Sequence, residues 1–102
     1  MSSAREAWLR EEARLIILKA LAGETDETLS SSMLERELRE RFGIKRERSW
    51  VHGELDWLAE HGAVALTEAG TVKIAVLTAK GQRHLDREIA IEGVRRPSRP
   101  EA

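Results

Sequence analysis

The chain has 102 residues, 41% of them hydrophobic and 34% charged, with a formal net charge of −1 and no cysteine. That is enough apolar material for one small core, and hence for a single domain. Disulfides and thiolate metal sites are excluded, no stretch is apolar enough to span a bilayer, and MSSAREAWLREE lacks the apolar run of a secretory signal.

A first helix is expected over roughly residues 4–22. Leu9, Ala13, Ile16, Ile17 and Ala20 form one apolar stripe, which Trp8, Leu15, Leu18 and Leu21 widen. Gly23 stops it, and the polar loop GETDET leads to Leu29, a candidate one-residue strand stub. A second helix is expected over 31–42. Ser30 or Ser32 caps it, and Leu34, Leu38 and Phe42 recur at four-residue spacing as its buried face. Gly43 ends this helix, and Ile44 can plug the angle to the next.

The third helix is expected over 47–61, with Val51, Leu55 and Leu58 as its core stripe. Lys45, Arg46 and Glu47 are poor capping residues, so its first turn is expected to fray. A hairpin follows, in which Val64 and Leu66 alternate with Ala63, Ala65 and Thr67, and Val72, Ile74 and Val76 alternate with Thr71, Lys73 and Ala75. Its turn is read at Glu68-Ala69-Gly70. Thr78 caps a fourth helix expected to reach about Ile91, with Leu85 and Ile89 facing inward. Gly81 in its first turn signals close backbone packing. The domain is accordingly read as 1–92, and 93–102, with two prolines, as a flexible basic tail.

Charge is unevenly spread. Residues 23–44 carry six acids against three bases, a local −3, whereas Lys45, Arg46 and Arg48 form one basic cluster and the last ten residues carry +2. A nucleic-acid footprint would therefore be a local stripe and not a general field.

A basic-started helix ending on glycine, then a hairpin, then a Thr-capped helix make the second half of a winged helix-turn-helix. The fold class is α+β, mostly α, in the order helix, helix, helix, hairpin, helix. The blocks Arg14-Leu15-Ile16-Ile17-Leu18, Leu55-Asp56-Trp57-Leu58-Ala59-Glu60-His61-Gly62, Leu77-Thr78-Ala79-Lys80-Gly81 and Gly93-Val94-Arg95-Arg96-Pro97-Ser98 carry a resemblance. The chain resembles ArsR/MarR-like winged-helix proteins, and is similar to small winged-helix proteins of Mu-like prophages. The resemblance implies a DNA-binding fold, and the leading reading is sequence-specific DNA binding in phage or prophage transcriptional regulation, by a dimer in the cytoplasm of a bacterial host. The resemblance does not imply a ligand, because metal-sensing members of the broader class use Cys or paired His and carboxylate ligands.

In this fold the helix before the wing usually enters the major groove. Lys45, Arg46, Arg48, Ser49 and His52 lie before or opposite the core stripe of that helix and are the expected DNA contacts. Lys73 is the wing's only cation, and Arg95 and Arg96 could lie in a minor groove as a free basic arm. The competing reading is a solvated charged face, which Glu47, Glu54 and Asp56 support. Trp57 is expected in or beside the core, Trp50 fits either side, and Trp8 fits a partner surface. A homodimer through Trp8 and Leu9, joined by Leu85 and Ile89, follows from an apolar stripe that starts two turns before the core. His52, His61 and His84 show no metal-ligand spacing, and no phosphate loop or nucleophile–base pair is present. Double-stranded DNA and a second copy are the expected partners, with no metal, cofactor, membrane or catalysis. A non-enzymatic protein-interaction module is the alternative.

Overall fold

The computed structural model describes residues 3–99. The chain runs α1 (Ser3–Ala22), β1 (Thr28–Ser30), α2 (Ser31–Phe42), α3 (Arg48–Glu60), β2 (Val64–Ala69), β3 (Val72–Leu77) and α4 (Ala79–Leu85). This is the expected winged helix-turn-helix order. The three strands form an antiparallel sheet in the order β1-β3-β2, so the Leu29 stub is a true edge strand facing Ala75.

Helices α1, α2 and α3 meet around Ile17, Leu18, Leu21, Leu34, Leu38, Val51, Leu55 and Leu58, all fully buried. Ser30 is the N-cap of α2, its hydroxyl accepting from the Met33 amide at 3.3 Å. Gly43 takes φ +68 at the other end, and the Ile44 amide bonds back to the Leu38 carbonyl, which turns the chain toward α3. No side chain caps α3, as the residues at its start implied. Phe42 is not part of the buried face: it is 49% exposed, on the side of an open groove that Ile16, Ala20 and Met33 also line.

The hairpin register reassigns the faces of β3. Val64 pairs with Leu77 and Leu66 with Ala75, and paired residues share a face. With Val64 buried, Ala75 and Leu77 must point inward, and Val76 is left exposed. Strand β2 runs on to Ala69, through the expected turn, and β3 begins at Val72, so the connection is a tight turn at Gly70-Thr71 with Gly70 at φ +64.

Two expectations near the C-terminus are corrected. Helix α4 stops at Leu85 instead of reaching Ile91, and Arg87 adopts φ +64 just beyond it. The cause is His84, which is fully buried: its Nδ1 accepts from the Ile91 amide at 3.0 Å and its Nε2 lies 3.0 Å from the Arg95 carbonyl. A helix continuing to Ile91 could not bring those backbone groups onto the ring. Residues 93–99, expected as a free tail, are likewise folded back. Val94 and Pro97 are buried, and the Arg95 amide donates to the Glu11 carbonyl at 3.2 Å. Arg87 Nη1 donates to the Pro97 carbonyl. The packed unit thus continues past residue 92, with Ile91 and Val94 in its core.

Candidate nucleic-acid interface

Helix α3 is positioned from three sides. Val51, Leu55 and Leu58 bury one stripe against α1 and α2. On the α1 side, Glu6 meets Arg46 and Trp50, while Arg10 and Arg14 both reach Glu54 and Arg14 covers Trp57. Partner numbers rise together, so α1 and α3 lie alongside each other in the same direction.

Glu54 is the chief surprise. It fits a solvated face by composition, yet it is only 1% exposed. Arg14 Nε donates to its Oε1 at 2.7 Å, and Arg10 Nη1 donates to Oε2. Arg14 also donates to the Gly93 carbonyl at 2.9 Å, and its guanidinium lies 3.9 Å from the centre of the Trp57 ring, whose other neighbour is the stacked His61 ring at 3.6 Å. One buried carboxylate thereby ties α3 to α1, and Arg14 carries the tie on to the C-terminal segment.

The face of α3 left open carries Arg48, Ser49, Gly53 and Asp56, all exposed, with Lys45 exposed just ahead of it. Gly53 is a residue that sequence reasoning passed over. It sits in mid-helix, and a Cβ built there would meet nothing within 4 Å. Internal packing therefore gives no reason for glycine, although glycine inside a helix costs roughly 0.5–1 kcal/mol relative to alanine. A lone glycine within a helical pattern was the available signal.

The other expected contacts are partly engaged within the chain. Arg46 grips Glu6 with both terminal nitrogens, at 3.2 and 3.0 Å. Arg48 reaches Glu35 at 3.4 Å. His52 is turned toward α2 instead of outward, with Nε2 2.8 Å from the Ser31 hydroxyl, which also accepts from the Lys73 amide. The Lys73 ammonium donates to Asp56 at 2.7 Å, so the wing's cation lies over α3, and this bond raises its pKa above the ordinary lysine value. The Arg46 and Trp50 hydrogen bonds hold the Glu6 carboxyl below the usual range. Exposed pairs of this kind are worth about 0–1 kcal/mol, so they are exchangeable contacts and not locks.

Arg95 Nε stands 3.1 Å from Glu12 Oε1, at an angle that makes an ion pair and not a hydrogen bond. Arg96 and Arg99 are exposed and crowd Arg87, whose pKa is lowered first by packing and then by these two charges. Because residues 93–95 sit beside Arg14 and Glu11, this basic segment lies toward the Trp57 end of α3, away from Arg46 and Arg48.

Trp8 is 55% exposed, and with Leu9 and Ile44 it lines a groove of about 1010 Å³ between the start of α1 and the α2–α3 turn. Leu85 and Ile89 are half-buried and pack on the core. Among the described residues, no three His, Asp or Glu side chains gather at metal-binding spacing, and no helix is long and apolar enough to cross a membrane.

No protein-family model matches the chain. It is 32% identical over 94 residues to the protein gp26 of Escherichia phage Mu, covering 92% of this chain and 95% of that protein. A winged-helix DNA-binding protein of STIV superposes with a TM-score of 0.59 at 27% identity, covering 72% of this chain and 79% of that one. A MarR family transcriptional regulator from Streptomyces coelicolor shares the fold at TM-score 0.58 and 24% identity; the match covers 70% of this chain but only 46% of the regulator.

Proposed function

The chain belongs to the same family as gp26 of phage Mu, on a winged-helix fold, and from that premise we propose that it is a sequence-specific DNA-binding protein. It acts as a homodimeric transcriptional regulator of a phage or prophage, in the cytoplasm of the bacterial host, and has no catalytic role. The observation that carries this reading is the open face of α3: Arg48, Ser49 and Gly53 are exposed on a helix whose opposite stripe is fixed in the core, with Lys45 beside them. The DNA-binding protein of STIV and the Streptomyces regulator, which share the fold, support it.

In this reading α3 enters the major groove. Arg48 reads a base edge and Ser49 assists, while Lys45 and Arg46 take phosphates. His52 sets the helix on α2, Lys73 braces the wing against Asp56, and Arg95 and Arg96 supply outer positive charge. A second copy covers Trp8 and Leu9, joined by Leu85 and Ile89, and leaves the Arg46 side of α1 open, so that two α3 helices face one side of the duplex.

The test is binding to a site selected from a random library, across a salt series. Arg48→Ala should lose about 1–3 kcal/mol and relax preference at one base pair. Arg46→Ala should weaken all sequences alike and reduce the salt slope by about one. Wild-type behaviour of both variants would remove α3 as the reader. A specific observation favours the alternative of a protein-interaction module: Arg46, Arg48 and Lys73 each have a carboxylate partner within the chain. That reading takes over if the wild type binds no DNA tighter than about 10⁻⁴ M at low salt.

A further inference from the structure

The Glu6 carboxylate sits in an unusually complete cradle of donors. Its Oε2 accepts from Arg46 Nη1 at 3.2 Å and from the Trp50 indole at 3.2 Å, and lies 3.3 Å from Arg10 Nε. Its Oε1 accepts from Arg46 Nη2 at 3.0 Å. The donors are stiffened by stacking, since Arg46 and Arg10 lie 5.1 and 5.4 Å from the Trp50 ring centre. The cradle opens on the groove between α1 and the α2–α3 turn, where Lys45 adds positive charge and Glu6 is the sole acid among the described lining residues.

We infer that this cradle is a phosphodiester-binding site, that Glu6 occupies it as a stand-in in the free protein, and that a DNA backbone phosphate displaces it on binding. The inference rests on the DNA-binding reading and deepens it.

A carboxylate and a phosphodiester both offer two oxygens to a guanidinium fork, so Arg46 can exchange one for the other without moving its nitrogens. The Trp50 N–H serves either anion. Glu6 is half-buried in the first turn of α1, near the helix start, and its side chain can swing out to solvent. Its depressed pKa shows that the cradle favours an anion. Arg10 keeps its bond to Glu54, so Arg46 and the neighbouring Lys45 are left to meet a nucleic-acid backbone once Glu6 has gone. The site adjoins the start of α3, so a phosphate held there lies beside the strand whose bases Arg48 would read.

The experiment uses the full chain, with folding checked by circular dichroism, and variants Glu6→Ala, Glu6→Gln and Trp50→Phe. Binding to a short random-sequence duplex at low salt should strengthen about two- to fivefold in Glu6→Ala, the size of an exposed ion-pair competitor removed. Glu6→Gln should gain less, because its amide oxygen still accepts from Arg46. Adding Trp50→Phe to Glu6→Ala should cancel part of the gain. In parallel, inorganic phosphate is titrated against the Trp50 indole N–H signal, identified by its loss in Trp50→Phe. It should move at lower phosphate concentration in Glu6→Ala than in the wild type. A folded Glu6→Ala that binds duplex no tighter than the wild type overturns the displacement. If phosphate leaves the indole signal unmoved in that variant, the anion site itself is overturned, wherever else DNA binds. If phosphate moves it but neither protein binds duplex, the anion site stands and the DNA-binding reading falls.

Discussion

Replacing Gly53 by alanine should move stability and DNA binding in opposite directions. Gly53 lies in the middle of α3 with ordinary helical neighbours, no positive φ, and no atom within 4 Å of where a Cβ would be. Nothing in the folded chain resists a methyl group there. Alanine also reduces the backbone entropy lost on folding, so Gly53→Ala should stabilise by roughly 0.5–1 kcal/mol. For a domain of this size that is a rise in Tm of about 2–8 °C. The same methyl stands on the open face between Ser49 and Asp56, where a DNA groove wall would press. A group that keeps the helix backbone about 1 Å or more from its seat should cost on the order of 1 kcal/mol or more of binding, comparable to losing one good contact. Thermal unfolding by circular dichroism and a binding isotherm on the same preparation measure both effects. A variant that is more stable and binds DNA as well as the wild type would show that no partner backs onto this face. A variant that is less stable would show that the helix itself needs the glycine, and the reasoning from open space would be wrong.

Three further outcomes follow from the packing. Glu54→Ala leaves Arg14, whose side chain is only 11% exposed, without its carboxylate, and should cost about 3–5 kcal/mol, a large part of the 5–15 typical of a domain; urea unfolding checks it, and a loss under 1 kcal/mol would contradict the buried-pair assignment. Gly81→Ala would drive a methyl into the Ala63 carbonyl and to 2.7 Å from Leu77 Cδ1, both beside the core, so it should destabilise by roughly 1–3 kcal/mol, whereas an unchanged Tm would mean that α4 can shift freely. Because the folded-state pKa of Glu6 lies below its ordinary 4.5, its stabilising contribution is complete above that value and fades as pH falls through the folded pKa; acid unfolding of Glu6→Gln should lack that component, and superimposable curves would refute the contact.

The helices and the hairpin were legible because their signals are local. The four-residue spacing of Leu34 and Leu38, the caps at Ser30 and Thr78 and the glycines at 43 and 62 all lie within one element or its ends. The faces of β3 could be read only with the register in hand, since both of its alternating sets are largely apolar. What escaped was set by partners far away in sequence. Glu54 looks like a surface acid until Arg10 and Arg14, 44 and 40 residues earlier, are seen to enclose it. His84 looks like a solvated helix residue until Ile91 and Arg95 close around its ring. The exposed positions of Arg48 and Ser49 were legible from the core stripe, but the inward turn of His52 depends on Ser31, across the α2–α3 angle.

The bond from Arg14 to the Gly93 carbonyl spans 79 residues and joins the first helix to the segment that follows the last. It has a consequence for how the protein is made. The core includes Ile91 and Val94, and Arg14 gains its second hydrogen-bond partner only when residue 93 arrives. During translation the three leading helices and the hairpin emerge from the ribosome before that strap does, and must wait with the edge of the Trp57 ring short of its cover, since Gly93 packs against that rim while Arg14 and His61 take the ring itself. Seating the strap on that edge and on Arg14 closes a loop that spans most of the chain, a contact of the long-range kind that forms slowly.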